Sequence, residues 1–331
     1  MFKQNILKAV MGGAAWLVLL PFSLSDSAEG DLIQRILLLG VLVIVPLGLA
    51  LIDALAEERS ALFRLAQAFH PFGALAVIVS GFLIPGFAAA GIATIWLVTT
   101  GLVGLDGLVS LSRFRHSRGP VVANLSVLAA MMFLPVGSVW LLLSRLGIQP
   151  LGFGDTIVLL TAVHFHFAGF AAPLLTGLTG YHLQARAKLH ALYVLAVVCV
   201  IAGTPLVAAG ITVSPVLALV GALVISLGLY CLALLNLVWI VPQIASLLPK
   251  ILLMFSSLAV VPAMILAGVY AYSIVFQKLI VDIPQMAMTH GIINAFGFAL
   301  CGLVAWTLIV NSQTQKTRSR RDTKASKQFA E

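Results

Sequence analysis

The sequence predicts an all-α protein, a polytopic bundle of about ten transmembrane helices with both termini in the cytoplasm. Three observations predict it: an extreme apolar composition, continuous apolar runs of membrane-spanning length, and a one-sided distribution of basic residues. Of 331 residues, 61% are hydrophobic and 9% charged, where a soluble domain carries roughly a quarter charged residues. A folded surface in water cannot hide that much apolar side chain. In lipid the backbone must satisfy itself, which leaves helices or closed barrels. Barrel strands read as alternating segments of about ten residues. The runs here are continuous, long, and rich in Leu, Ala, Val and Gly, so they are helices.

Runs of about twenty apolar residues between charged or turn-forming breaks place spans at 6–24, 36–56, 73–90, 93–111, 121–144, 155–176, 191–211, 215–239, 251–272 and 284–310. Two long stretches need internal breaks. The first is split near Pro85-Gly86 and Gly91. The second is split at Thr212-Val213-Ser214-Pro215, where proline suits the first turn of a new helix. The basic residues test these splits. With the N-terminus inside, the inner segments hold Lys3, Lys8, Arg59, Arg64, Arg113, Arg115, Arg118, Arg186, Lys188, Lys250 and six more from Lys316 to Lys327. The outer segments hold Arg35, Arg145 and Lys278, giving 16 against 3 of the 19 basic residues. Removing either split would turn the next basic cluster outward, against the positive-inside rule.

The net charge of +8 therefore follows the membrane and does not point to nucleic acid. The partners it implies are the lipid bilayer and a small-molecule or lipid substrate. The basic start of the first span also fits a signal peptide, but Ser25-Asp26-Ser27-Ala28-Glu29 makes a poor cleavage site. Residues 1–310 read as one transmembrane domain, and the polar, basic tail 311–331 as a disordered segment lying near anionic headgroups. Cys199, Cys231 and Cys301 lie within apolar runs and read as packed thiols. No soluble domain, repeat or phosphate-binding loop is present in the sequence, which argues against an ATP-driven pump.

Ionisable groups within a membrane are costly and therefore informative. They are Asp106 in the fourth span, His164 and His166 in the sixth, and His290 in the tenth. His70, His116, His182 and His190 fall at cytoplasmic loops or interfaces and are set aside. Asp155 is a candidate cap of the sixth helix, and Asp282, ahead of Pro284, of the tenth. Reckoned from those caps, His164 and His166 lie roughly 13–17 Å from the outer surface, His290 roughly 10 Å and Asn294 near 17 Å. All four share one layer. His290 and Asn294, four apart, share a helix face. His164 and His166 point about 200° apart on an ideal helix. Either one faces the cluster and the other a neighbouring helix, or a kink near Gly169 and Pro173 brings them together.

A layer of this kind is a candidate site for a proton, a substrate or a metal ion, with His164, His166 and His290 the candidate metal ligands. No carboxylate shares the depth, which weakens a catalytic metal. A second polar layer, Asp53, Asp106, Asn124 and Asn236, lies toward the cytoplasm, where Asp106 either couples protons or pairs with a loop arginine.

Thr161-Ala-Val-His-Phe-His-Phe-Ala-Gly-Phe170 and Thr289-His-Gly-Ile-Ile-Asn-Ala-Phe-Gly-Phe298 resemble the paired segments of the YndJ-like membrane proteins. The resemblance implies a multi-pass bacterial membrane protein, sometimes labelled a transporter. It marks His164, His166, Gly169, His290, Gly291 and Asn294 as the matched positions. Three classes of function remain open: a transporter using the histidine layer, a membrane enzyme acting on a lipid or isoprenoid, and an accessory subunit in which the histidines only pack.

Overall fold

The computed structural model describes residues 2–55, 60–112, 120–183 and 189–313. Within them the chain forms ten helices: α1 (Phe2–Leu19), α2 (Ala28–Ala54), α3 (Ala61–Gly81), α4 (Phe87–Ser112), α5 (Val121–Leu146), α6 (Asp155–Leu183), α7 (His190–Val213), α8 (Pro215–Gln243), α9 (Leu247–Val275) and α10 (Ile283–Gln313). The last nine are long and apolar enough to cross a membrane. The first differs because its opening turn holds Lys3, Gln4 and Asn5, and it stops at Leu19, short of the expected 24. It still packs on α2, where Gly12 abuts the backbone carbonyl of Leu42 so closely that no Cβ would fit.

Local chemistry sets the helix ends. Ser214 is extended (φ −165°, ψ 130°) and Pro215 opens α8, as the sequence expects. Asp282 caps α10 in a reciprocal pair, its carboxylate accepting the Gln285 N–H at 2.8 Å while the Gln285 side chain accepts the Asp282 N–H at 3.1 Å. Gly154, not Asp155, precedes the first turn of α6. Asp155 lies one residue inside and accepts from Gln149 Nε2 at 3.0 Å. Gly147 (φ +72°) ends α5 in the left-handed conformation that glycine adopts without strain.

One boundary moves far enough to matter. The third helix starts at Ala61, not 73, because Ser60 Oγ accepts the Phe63 N–H at 3.0 Å and starts the helix a full three turns earlier. Pro71 is accommodated inside it. The break that follows lies at Phe82–Gly86, with no second break at Gly91. His70 is consequently a buried residue inside α3, not one of a loop. At the other end α10 continues through Asn311 to Gln313, so the expected tail begins later. Residues 314–331 lie outside the described residues, as do Arg59, Arg113, Arg115, His116, Arg118, Arg186 and Lys188.

Helices α2 and α6 are the most deeply buried. They contact one another and α10, while α1 and α3 flank α2, and α5, α7 and α8 flank α6. Glycines set the close approaches. In the α7–α8 hairpin, Gly203 faces Ile225, Gly210 faces Ala218 and Gly221 faces Val207, each too near for a Cβ, which is how membrane helices gain packing where lipid gives no hydrophobic drive. Cys199 and Cys231 are buried free thiols, and Cys301 is a half-buried one.

Four helices widen locally into π turns: Gly40–Ile44 in α2, Phe165–Ala171 in α6, Asn236–Ile240 in α8, and Ala287–Gly291 with Ile293–Leu300 in α10. In the first three a proline follows the segment by two residues: Pro46, Pro173 and Pro242. Proline brings no N–H and its ring crowds the carbonyl four residues back. A turn with one extra residue relieves that crowding. The π segments of α2, α6 and α10 touch one another, so the three widened helices meet at one level of the bundle.

Two of the three basic residues that the sequence assigns to the outer side, Arg35 and Arg145, have structural tasks. Arg35 bonds Asp31 at 2.5 Å and donates to the Leu20 and Phe22 carbonyls at 2.8 and 3.0 Å, closing the open end of α1. Buried Arg145 donates to the Leu83 carbonyl at 2.6 Å, and its own carbonyl accepts the Gly86 N–H at 2.7 Å. Together these tie the α3–α4 turn to the end of α5.

Candidate functional site

The histidine layer is built where the π turns of α6 and α10 meet. His164 is the last residue before the widened turn of α6, and His290 sits inside the first widened turn of α10. Their rings face each other with centroids 6.4 Å apart and planes 26° from parallel. His164 Nδ1 lies 2.7 Å from the Leu160 carbonyl, and His290 Nδ1 lies 2.8 Å from the Ala263 carbonyl on α9. A carbonyl only accepts, so each Nδ1 carries the proton, and each Nε2 of the neutral rings presents a lone pair. The Asn294 amide nitrogen, on the same helix face, stands 3.3 Å from both ring nitrogens of His290 and, with Nδ1 protonated, donates to Nε2.

His164 is exposed, while His290 and Asn294 are half-buried. The arrangement can therefore accept a proton, or a hydrogen-bond donor on a ligand, at two lone pairs held by backbone carbonyls.

His166 belongs to a different environment. It is fully buried and turned toward α4, where Trp96 Nε1 donates to its Nε2 at 3.0 Å and the two rings stack 5.9 Å apart. Its Nδ1 meets the Ala162 carbonyl at 2.8 Å. Gly137 makes the seat, since a Cβ there would stand 2.8 Å from His166 Nδ1. Of the two arrangements open in the sequence, the structure takes the first: one histidine faces the cluster and the other a neighbouring helix. Both ring nitrogens of His166 are engaged, so it does not join His164 and His290 in one ligand set.

That decides the fit of a metal ion. Two imidazoles and one amide are on hand, whereas a structural zinc takes four ligands and a catalytic one three. Among the described residues no group of three His, Cys, Asp or Glu side chains converges in a way that could hold a metal. The residues present do not fit the metal centre that the three histidines suggest.

Asp106 is buried on α4, ten residues beyond Trp96 and so about 15 Å further along the helix. Helix α4 packs between α3 and α5, and the structure does not bring Asp106 to the pair. In the second polar layer Asn236 accepts from Thr179 at 2.8 Å, and Asn124 accepts from Tyr181. His182, exposed at the end of α6, packs on Trp306 with centroids 4.5 Å apart.

Sequence reasoning missed Trp96, His70 and Gln67. Trp96 sits in an apolar run and looks like core. Gln67 and His70 precede the apolar run that starts at 73, and His70 reads there as a loop or interface residue; the signal that places both in a helix is the Ser60 cap.

The family described as YndJ-like protein matches residues 35–298 of this chain. The chain is 26% identical over 291 residues to the uncharacterized membrane protein YndJ of Bacillus subtilis (strain 168), an alignment covering 87% of this chain and 50% of that protein. It thus spans about half the length of the curated relative it matches. No solved structure matches it. The matched region takes in both histidine segments and all nine long apolar helices in whole or part. The chain is a bacterial multi-pass membrane protein and belongs to the YndJ-like family.

Proposed function

We propose that this protein is a transporter-like carrier in which the His164–His290 pair binds and passes a proton, or a small polar substrate, within the membrane. The observation that carries the reading is the pair itself: two facing imidazoles whose Nδ1 protons are fixed on backbone carbonyls, which leaves each Nε2 as an acceptor. Neutral imidazole is the side chain best suited to gain and lose a proton near physiological pH. Widened turns recur at functional positions, and here they fall on both histidine-bearing helices. A lipid-directed enzyme would need a further acid, base or ligand beside the pair.

The proposed orientation has both ends in the cytoplasm, from the 16-to-3 bias of basic residues. The histidine pair then lies in the outer half of the bilayer. The reading is tested in proteoliposomes by proton flux under an imposed membrane potential, read with an entrapped pH-sensitive dye. Flux above that of empty vesicles, lost in His164→Ala and in His290→Ala but kept in His182→Ala, is the expected result. Absence of protein-dependent flux, or flux unchanged by both substitutions, contradicts it.

A further inference from the structure

A second polar group, apart from the histidine pair, is strung along the α1–α3 side of the bundle. Lys8 Nζ donates to Asn5 Oδ1 at 3.2 Å and to the Gln67 carbonyl at 2.5 Å, which brings the first turns of α1 against α3. Gln67 and His70, three apart, share a face of α3. His70 Nε2 meets the Val41 carbonyl at 3.2 Å in the π turn of α2, and its ring stands edge-on to Trp96 at 5.6 Å. Trp96 in turn donates to His166. The series runs from the start of α1 to the middle layer of the bundle.

Three of these side chains are almost wholly buried, with Asn5 1%, Gln67 2% and His70 3% exposed. Four of their atoms meet no hydrogen-bond partner among the described residues: Asn5 Nδ2, Gln67 Nε2, Gln67 Oε1 and His70 Nδ1. Buried polar atoms are seldom left so, and four of them on two helices joined by the Lys8 bonds point to something that satisfies them. Their chemistry says what. The two amide nitrogens only donate. Gln67 Oε1 only accepts, and His70 Nδ1 accepts because Nε2 faces a carbonyl and holds the proton. An anion would satisfy the donors alone and a cation the acceptors alone. Water, donor and acceptor at once, satisfies both.

We propose that Asn5, Gln67 and His70 line a buried water-binding site, the inner half of a hydrated route that begins at Lys8 and is closed by Trp96. The site itself is independent of the histidine-pair reading, and only its use as a proton route rests on it. In that use a proton carried along the water passes to the His70 Nδ1 lone pair, forming an imidazolium beside Trp96.

The test is water-edited solid-state NMR on the full chain in lipid bilayers, which reads how fast water polarisation reaches each labelled side chain. The Asn5 and Gln67 amides and the His70 ring should build up as fast as exposed Gln285. They should do so faster than Asn236, which is buried but bonded to Thr179. Build-up as slow as at Asn236 overturns the proposal. In a Gln67→Leu, His70→Phe variant the Asn5 signal should be lost, and full retention there would overturn a shared site. The readout needs no transport, so a hydrated site without proton flux faults only the function proposed for the pair.

Discussion

Trp96 Nε1 donates to His166 Nε2 over 3.0 Å, with the two rings stacked and only 15° from parallel. Because Nδ1 of the same ring already faces the Ala162 carbonyl, this one bond fixes the tautomer of His166 and holds its ring between α4, α5 and α6. His166 is thereby a packing histidine beside the functional candidate His164, although the two are separated by one residue.

Trp96→Phe should therefore destabilise the bundle by about 1–3 kcal/mol, the cost of leaving a buried acceptor unpaired, while the histidine pair remains assembled. Gly137→Ala should do comparable damage, because the new methyl would meet the His166 ring at 2.8–3.0 Å. Thermal unfolding in detergent reads both. Unchanged midpoints would show that the Trp96–His166 bond is not formed.

Reporter fusions test the topology. Fusions after Arg118, Lys188 and Lys327 should report cytoplasm, and fusions near Glu29, Gly152 and Lys278 the outside. An outside signal after Lys327 would contradict the orientation.

The sequence made the helix count, the Ser214-Pro215 break, the Asp282 cap and the shared depth of His164 and His290 legible, because each depends on composition or on a terminal motif. It concealed what depends on tertiary contact. Trp96 looks like any aromatic in an apolar run until His166 is seen beside it. His70 reads as a loop or interface residue because the apolar run starts at 73, whereas the Ser60 cap starts α3 at Ala61 and carries it through Pro71. The π turns escaped because helical-wheel reasoning assumes 3.6 residues per turn, although Pro46, Pro173 and Pro242 signalled three of them.

Arg145 should behave as a structural residue. Arg145→Ala removes its 2.6 Å bond to the Leu83 carbonyl and leaves a partly buried acceptor unpaired, at a cost of about 1–3 kcal/mol. Thermal unfolding should fall while the reporter pattern stays unchanged. An inverted pattern would mean that Arg145 sets topology instead.

Pro173→Ala should disturb the site without touching it. The substitution restores an N–H that can bond the Gly169 carbonyl and allows the Phe165–Ala171 turn to tighten. Tightening rotates His164 relative to α10, so proton flux should fall although both histidines remain. Wild-type flux in this variant would show that the widened turn does not position the ring.

The central claim is that His164 and His290 form one site with both Nε2 lone pairs presented to it. Solid-state NMR of the chain in bilayers, with labelled histidine assigned through the single-site variants, tests it most directly. The account predicts magnetisation exchange between the two rings, both protonated at Nδ1 and bare at Nε2. Rings without mutual contact, or an Nε2-protonated tautomer at either residue, would contradict it.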